Sequence, residues 1–191
     1  MLFEIFSLIL ETLAGFFSVA LLMRWAMQHL RVPFRNPLGQ FVMAVTDWAV
    51  LPTRRKVPAL FGTDSSSLLL AWLTQVLYFV LIMSLSGMLR SVSPAPILSI
   101  ALLAVLEVVK LLLYMAMGAV IVSALFSWVN PYAPMASMFD ALTRPLLKPF
   151  RRLIPPVGGV DLSPLALLLL LQIALMVQGR LHAAALALAY L

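Results

Sequence analysis

The stretch KPFRRLIPPVGGVDLSP, residues 148–164, is a basic connection punctuated by prolines between two long apolar segments. An earlier stretch, LPTRRKVPALFGTDSSS at residues 51–67, repeats its order of residues when the chain is shifted by 97 positions, from 51 to 148. Under this shift 14 of the 39 positions from 37 to 75 are identical. Because self-similarity at a constant shift marks repeated units, the sequence predicts two copies of one unit, residues 1–96 and 97–191.

The composition indicates a membrane protein. Hydrophobic residues make up 63% and charged residues 10% of the 191 residues, whereas soluble domains carry about 25% charged residues. Four apolar segments reach the ~20 residues that cross a bilayer, at about 2–30, 67–90, 105–129 and 164–190. Two shorter segments, about 37–51 and 134–147, have apolar residues at helical spacing and are predicted to be amphipathic helices that lie in the membrane interface or re-enter the bundle.

Two spans per unit imply that both copies enter the membrane in the same direction. The predicted fold is therefore an all-α membrane protein of four spans and two short amphipathic helices, built as tandem parallel repeats with a pseudo-twofold axis along the membrane normal. Nine of the 13 Lys and Arg residues fall within 31–65 and 130–163. Since short basic loops stay cytoplasmic, we expect these connections inside and both termini outside. The N-terminus lacks a basic n-region and a cleavage site, so we expect the first span to be retained.

Basic residues cluster around the repeated proline and arginine pattern, at Arg54, Arg55, Lys56, Arg144, Lys148, Arg151 and Arg152. One interpretation is topological, with the cations holding the loops inside and meeting anionic head groups. The other is recognition, because two rigid loops would present guanidinium forks to a phosphate or to an acidic protein partner. The loops contain no interleaved aromatic residues and no nucleic-acid-binding module, so direct binding of nucleic acid is not expected.

One acidic residue precedes the second span of each copy, that is, the second and the fourth spans of the chain. Asp64 and Asp161 are equivalent under the shift, and Ser163 and Pro164 repeat the pattern of a cap followed by proline. A carboxylate at this position complements the helix dipole and can reach the neighbouring arginines. We predict a cap with an internal salt bridge; the alternative is a cation site built from both aspartates.

Ionisable residues within the apolar segments form a third group. Counting along the helices places Glu11 and Arg180 at matching depth, and an unpaired ion there would be costly. We therefore predict that these two residues pair in the outer leaflet. The alternatives are snorkelling to water and an ion or proton path that uses Glu11, Glu107, Lys110 and His182, with Lys110 expected near the outer interface.

Two glutamines, Gln75 and Gln172, are equivalent under the shift and lie about two turns into their spans. A side-chain amide in a membrane needs a hydrogen-bond partner. We predict hydrogen bonding between helices across the pseudo-twofold axis; lining of a polar pore is the alternative.

The sequence contains no arrangement typical of an enzyme. Cysteine is absent, and the two histidines, His29 and His182, are far from any metal-ligand spacing. Neither a phosphate-binding Gly-Lys-Ser/Thr loop nor a Ser, His and Asp constellation is found. We therefore expect no catalytic residues, no cofactor and no metal site.

The motifs resemble those of the YggT family of bacterial integral membrane proteins over nearly the whole chain. They are NP at 36–37, T at 46, PTRR at 52–55, D at 64, SWVNP at 127–131 and PFRRLIPPVGGVDLSP at 149–164. The resemblance implies a multi-pass plasma-membrane protein, with relatives in photosynthetic plastids. Family members are linked to potassium or osmotic tolerance and, in other lineages, to cell division, nucleoid distribution and cofactor assembly in membranes. No catalytic residues come with the resemblance.

Two functional classes fit these observations. The first is a non-enzymatic scaffold of the bacterial inner membrane, whose basic loops engage lipid head groups or an acidic protein partner in cell division, nucleoid or membrane assembly. The second is a component of ion (potassium) or osmotic-stress transport. A transporter needs polar groups at mid-depth, and the apolar segments contain few charges, so the sequence favours the scaffold. A chain of 21.0 kDa is also compatible with a homo-oligomer.

Overall fold

The structure is a computed structural model that describes residues 1–56, 65–85, 95–154 and 161–189. Within these residues the chain is entirely helical, with no strand. The helices are α1 (Leu2–His29), α2 (Pro37–Arg54), α3 (Ser65–Leu85), α4 (Ala95–Val129), α5 (Ala136–Leu153) and α6 (Ser163–Ala189). Four of them, α1, α3, α4 and α6, are long and apolar enough to cross a membrane. The predicted all-helical class with four spans is confirmed, while the tandem repeat and its pseudo-twofold axis stay predictions.

The four long helices pack as antiparallel neighbours. Helix α1 packs against α3, α3 against α4, and α4 against α6. A central cluster joins Leu21 and Leu22 of α1 to Ala71 of α3 and Val108 of α4, and Val50 of α2 joins it. Because consecutive spans run in opposite directions, α1 and α4 finish at the same end of the bundle, where α3 and α6 begin. Helices α2 and α5 also lie there, and we call it the basic end.

Helix α2 begins as its sequence predicts. The side chain of Asn36 accepts a hydrogen bond from the Gly39 backbone N–H at 2.7 Å, and Pro37 occupies the first turn. A Cβ atom at position 39 would lie 2.7 Å from the Phe34 backbone, so only glycine fits this close approach. The helix is amphipathic, with Val42 buried in the bundle and Trp48 exposed. The start of α2 is thereby fixed against the preceding chain.

Both amphipathic helices extend further than predicted. Helix α5 continues through Pro145 and Pro149 to Leu153, and α2 continues through Pro52 to Arg54. Each proline removes one backbone hydrogen bond, but Leu147 is fully buried against α4 and α6 and holds α5 in place. The basic residues at 148, 151 and 152 therefore lie on the last turns of a helix, and the prediction that they form a loop is wrong.

Helix α4 begins at Ala95, well before the predicted start near 105. Its 35 residues span about 50 Å at 1.5 Å per residue, which exceeds the ~30 Å of a hydrocarbon core. Lys110 consequently lies near the middle of α4. The placement of Lys110 near the outer interface stays a prediction, because a helix longer than the hydrocarbon core extends beyond it at one end or both.

Candidate functional site

The basic end collects the cations that the sequence singled out. Arg54 ends α2, with Arg55 and Lys56 directly after it. Lys148, Arg151 and Arg152 lie on the last turns of α5, and Arg144 lies one turn earlier. All seven side chains belong to exposed residues. Asp64, the equivalent of Asp161 in the first copy, lies outside the described residues.

Asp161 joins the end of α5 to the start of α6. Its Oδ1 accepts a hydrogen bond from the Ser163 backbone N–H at 2.9 Å, and Arg151 Nε donates to its Oδ2 at 2.8 Å. These contacts are the cap and the salt bridge that the sequence predicts. Partial burial opposes ionisation, but the hydrogen bonds from Ser163 and Arg151 outweigh it and lower the pKa of the Asp161 carboxyl. Ser163 and Pro164 are themselves buried.

Asp140 binds two of the seven cations. Arg144 Nη2 donates to its Oδ2 at 2.6 Å, and Arg151 Nη1 lies 3.6 Å from its Oδ1. The hydrogen bond to Asp140 raises the pKa of Arg144. Of these seven exposed cations, four form no ion pair with a described residue: Arg55, Lys56, Lys148 and Arg152. The structure therefore separates cations used inside the protein from cations available to a partner.

A buried arginine that sequence reasoning passed over connects α1 to α2. Arg24 Nη1 donates to Thr46 Oγ1 at 2.8 Å and to Asp47 Oδ1 at 2.6 Å. The Arg24 side chain is 6% exposed, whereas that of Asp47 is 42% exposed. The available signal was an isolated arginine in an apolar span together with an aspartate on the polar face of the next helix.

A second collection of polar groups lies inside the membrane-spanning part. A cavity of about 440 Å³ opens between α1, α3 and α4. Its polar lining consists mainly of Glu11, Gln75, Tyr78, Glu107, Lys110 and Tyr114. Lys110 Nζ pairs with Glu107 Oε1 at 2.5 Å, whereas Glu11 forms no ion pair within the described part of the chain. We call this the polar cavity.

The predicted pair between Glu11 and Arg180 is wrong. Glu11 lines the polar cavity, whereas Arg180 is exposed on α6 and makes no ion pair with any described residue. Helix α1 packs on α3 and α4, but α6 packs mainly on α4. Equal depth gives two residues the same height, yet it does not place them on facing sides of neighbouring helices. His182 packs 6.2 Å from the Phe79 ring and does not line the polar cavity.

The two equivalent glutamines have different surroundings. Gln75 is 2% exposed, and its Nε2 donates to Ser18 Oγ on α1 at 2.9 Å. Gln172 is exposed on α6. The position equivalent to Ser18 in the second copy is Met115, which offers no hydroxyl. Gln75 thus joins two helices as expected, but its partner Ser18 belongs to the same predicted copy, so this hydrogen bond does not connect the two copies.

Metal ligation has no obvious place in the described part of the chain. No group of three or more His, Asp or Glu side chains lies close enough there to hold an ion. The alternative cation site built from Asp64 and Asp161 involves a residue outside the described ranges. Asp161 is engaged by Arg151 and Ser163 in any case.

These features define an all-helical membrane protein with a basic end and a polar cavity among its spans. The family model described as CCB3/YggT matches residues 3–85 and 102–181, and the chain belongs to that family. The two matched segments fit the predicted repeat.

Relatives share most of their length with this chain. "Uncharacterized protein YggT" of Escherichia coli (strain K12) is 36% identical over 169 residues, which cover 87% of this chain and 85% of the relative. "Uncharacterized protein PA0392" of Pseudomonas aeruginosa is 37% identical over 167 residues, covering 86% and 83%. A Vibrio alginolyticus protein, "Uncharacterized protein in proC 3'region", is 31% identical over 174 residues, covering 91% and 92%. No solved structure matches the chain.

Proposed function

We propose that this chain is a non-enzymatic membrane scaffold whose basic end binds anionic phospholipid head groups and, through the same charges, an acidic protein partner. The observation that carries the proposal is the division of charge at that end. Arg144 and Arg151 neutralise the two nearby carboxylates, Asp140 and Asp161. Lys148 and Arg152 of α5 are exposed and pair with neither carboxylate, and the same holds for Arg55 and Lys56 after α2.

Amphipathic helices bring these charges to a membrane surface. Helix α5 buries Leu142 and Leu147 in the bundle and ends in Arg151 and Arg152. A Lys or Arg near an anionic bilayer surface contributes about 1 kcal/mol of binding free energy. The four exposed cations, Arg55, Lys56, Lys148 and Arg152, therefore form a favourable surface for phosphate groups or for the carboxylates of a partner.

The proposal includes an orientation in the bacterial inner membrane. Basic segments near the ends of spans remain cytoplasmic, so we place the basic end inside and both termini outside. A periplasm-active reporter fused after Leu191 should be active, and the same reporter fused after Lys56 should be inactive. Activity only at position 56 would reverse the orientation.

Lipid retention tests the binding surface directly. We would purify a variant with Arg55, Lys56, Lys148 and Arg152 changed to Gln and count the anionic lipids that stay bound in native mass spectrometry. The variant should retain fewer phosphatidylglycerol molecules than the parent protein. Retention equal to that of the parent would contradict lipid binding at this end.

A control that retains the charges distinguishes electrostatic attraction from bidentate hydrogen bonding by guanidinium groups. Arg55→Lys with Arg152→Lys keeps both charges but cannot reproduce bidentate contacts. Lipid retention should survive this change. If affinity capture from native membranes shows that a protein is lost from the Lys variant, the partner requires guanidinium geometry. Arg151 is excluded from this test because it is engaged with Asp161.

A second candidate function is a component of ion (potassium) or osmotic-stress transport, and the polar cavity is the observation that favours it. The spans contain more convergent polar groups than their sequence suggests. If this candidate holds, Glu107→Gln should impair growth at limiting potassium or high osmolarity in a strain that depends on this chain. The quadruple Gln variant of the basic end should grow normally under the same conditions.

A further inference from the structure

The polar cavity is a feature that the scaffold proposal does not use. Its volume of about 440 Å³ falls within the ~300–1,000 Å³ of small-molecule sites. Its walls are formed by α1, α3 and α4, all of which are long and apolar enough to cross a membrane. Ionisable side chains inside such helices are unfavourable and mark functional sites. The cavity is therefore a candidate binding site.

The charges of the cavity favour a cationic ligand. The ammonium group of Lys110 is already paired with Glu107 at 2.5 Å. The remaining carboxylate, Glu11, faces the same cavity and has no counter-ion among the described residues. Two carboxylates and one ammonium group give the ionised lining a net charge of −1. A ligand with one positive charge would balance it.

The uncharged groups of the lining suit the same kind of ligand. One amide N–H of Gln75 donates to Ser18 Oγ at 2.9 Å, and the carbonyl oxygen of the same amide can accept a hydrogen bond from an ammonium group. Tyr78 and Tyr114 add two aromatic rings to the wall. The face of an aromatic ring attracts an organic cation, and such rings recognise alkylated ammonium groups.

The volume of the polar cavity suits an organic cation better than a bare metal ion. A water molecule occupies about 30 Å³, and a dehydrated monovalent ion is of similar order, so either would leave most of the cavity unfilled. A cluster of oxygen ligands converging on one point is expected for a metal ion. The cavity instead offers one unpaired carboxylate and two rings spread over three helices.

We propose that the polar cavity binds an alkylammonium group, with Glu11 as its counter-ion and Tyr78 and Tyr114 as its aromatic walls. This site is separate from the basic end and does not depend on the scaffold proposal. The group has two sources, a small soluble amine or the ethanolamine head group of a phospholipid. Glu11 and Tyr114 are exposed on the outside of the bundle, which leaves the cavity open to the surrounding membrane.

Calorimetric titration of the whole chain tests the proposal. The protein is placed in nanodiscs of phosphatidylglycerol alone, which lack amine lipids, and titrated with ethanolamine, tetramethylammonium or potassium chloride at constant ionic strength. Saturable binding of the organic cations, at least about tenfold tighter than that of potassium, is expected. Absence of saturable binding, or equal binding of potassium, would overturn the proposal.

Variants connect the binding to the cavity. Glu11→Gln should weaken the affinity at least about tenfold, because a charge-assisted contact is lost. The matched control is Glu4→Gln, on the same helix but exposed beside the N-terminal amine, and it should bind as the parent does. Unchanged affinity in the Glu11 variant would refute the site. Thermal unfolding of each nanodisc sample establishes that the variants are folded.

Two substitutions of Tyr114 test the site independently if the Glu11 variant fails to fold. Tyr114→Phe retains the ring and should preserve most of the affinity, whereas Tyr114→Leu should reduce it about fivefold. Equal affinity in these two variants would exclude the aromatic contact. A second titration, in nanodiscs that contain phosphatidylethanolamine, identifies the source of the ligand. If this lipid competes with ethanolamine, the source is the bilayer; if it does not, the source is a soluble amine.

Discussion

The two junctions between a span and its amphipathic helix hold the same kind of contact with different chemistry. Thr46 on α2 and Thr143 on α5 are equivalent under the shift of 97 positions, and both are fully buried. In the first junction Thr46 accepts a hydrogen bond from Arg24 at 2.8 Å. In the second, Thr143 Oγ1 contacts Ser123 Oγ at 3.1 Å. One junction therefore contains a buried charge and the other contains only hydroxyl groups.

The residue after each threonine explains the difference. Asp47 turns toward α1 and pairs with Arg24 at 2.6 Å. Arg144, at the equivalent position, stays on the surface and pairs along its own helix with Asp140. Because a buried ion left without its partner is far more costly than an exposed one, the first junction should be more sensitive to substitution than the second.

Arg24→Leu should have the largest effect. It removes the cation from Asp47 and the donor from Thr46, and we expect a loss of about 2–3 kcal/mol, below the value for a fully buried pair because Asp47 is partly exposed. Unfolding in detergent measures the loss. Arg24→Leu with Asp47→Leu should recover part of it, whereas Arg144→Leu in the other junction should cause little change. Equal damage from Arg24→Leu and Arg144→Leu would remove the distinction between the junctions.

The two threonines allow a finer comparison. Thr46→Val should reduce the free energy of unfolding by about 2 kcal/mol, since hydrogen bonds to charged groups contribute about 1.5–3 kcal/mol. Thr143→Val removes a neutral contact and should reduce it by about 1 kcal/mol. Both replacements keep the size of the side chain. Chemical denaturation of the two variants in the same detergent gives the difference, and a reversed order would contradict the assignment of the charge to the first junction.

The equivalent glutamines extend the comparison into the spans. Gln75→Leu should reduce the free energy of unfolding by about 1 kcal/mol, because Ser18 loses its partner in a buried setting. Gln172→Leu should have no destabilising effect, because that side chain is exposed on α6. Thermal unfolding of the two variants under the same conditions measures the difference in stability. A larger effect at position 172 would mean that Gln172 has a structural role.

The smallest effect should come from the titration of Asp161. Its pKa is lowered from the ordinary 3.8 in the folded protein, so its ionised form contributes stability above that value. The contribution should disappear as the pH falls below 3.8 through the lowered pKa. Asp161→Asn should reduce stability at neutral pH and remove this pH dependence. Parallel acid titrations of the two proteins, followed by circular dichroism, measure the difference.

Composition and periodicity were sufficient to predict the helices, and packing decided the contacts. The four spans and the Asn36 cap follow from short-range rules that the sequence displays directly. The surroundings of Glu11 and Arg180 could not be predicted in this way, because depth along a helix does not indicate which side of the helix faces a neighbour. Arg24 and Asp47 are 23 positions apart on different helices. Only the packing of α2 on α1 brings them together.

The prolines of α5 also show why its predicted end was too early. Pro145 and Pro149 usually end a helix, and nothing in the local sequence indicates that Leu147 is buried between two spans. The same burial moves Lys148 and Arg152 from a predicted loop to a helix surface. The candidate binding residues were thus identified from the sequence, but their arrangement required the tertiary structure.

The prolines of α5 have a further consequence for its response to salt. Residues 145 and 149 cannot donate to the carbonyl groups of Ala141 and Pro145, so the last turns of α5 have fewer backbone bonds to hold them. The Arg151 to Asp161 contact joins these turns to α6, and its side chains are 40% and 28% exposed. Dissolved ions screen such a contact over ~8 Å at physiological ionic strength. Amide hydrogen exchange at the end of α5 should therefore accelerate as salt is added, while exchange within the spans stays constant.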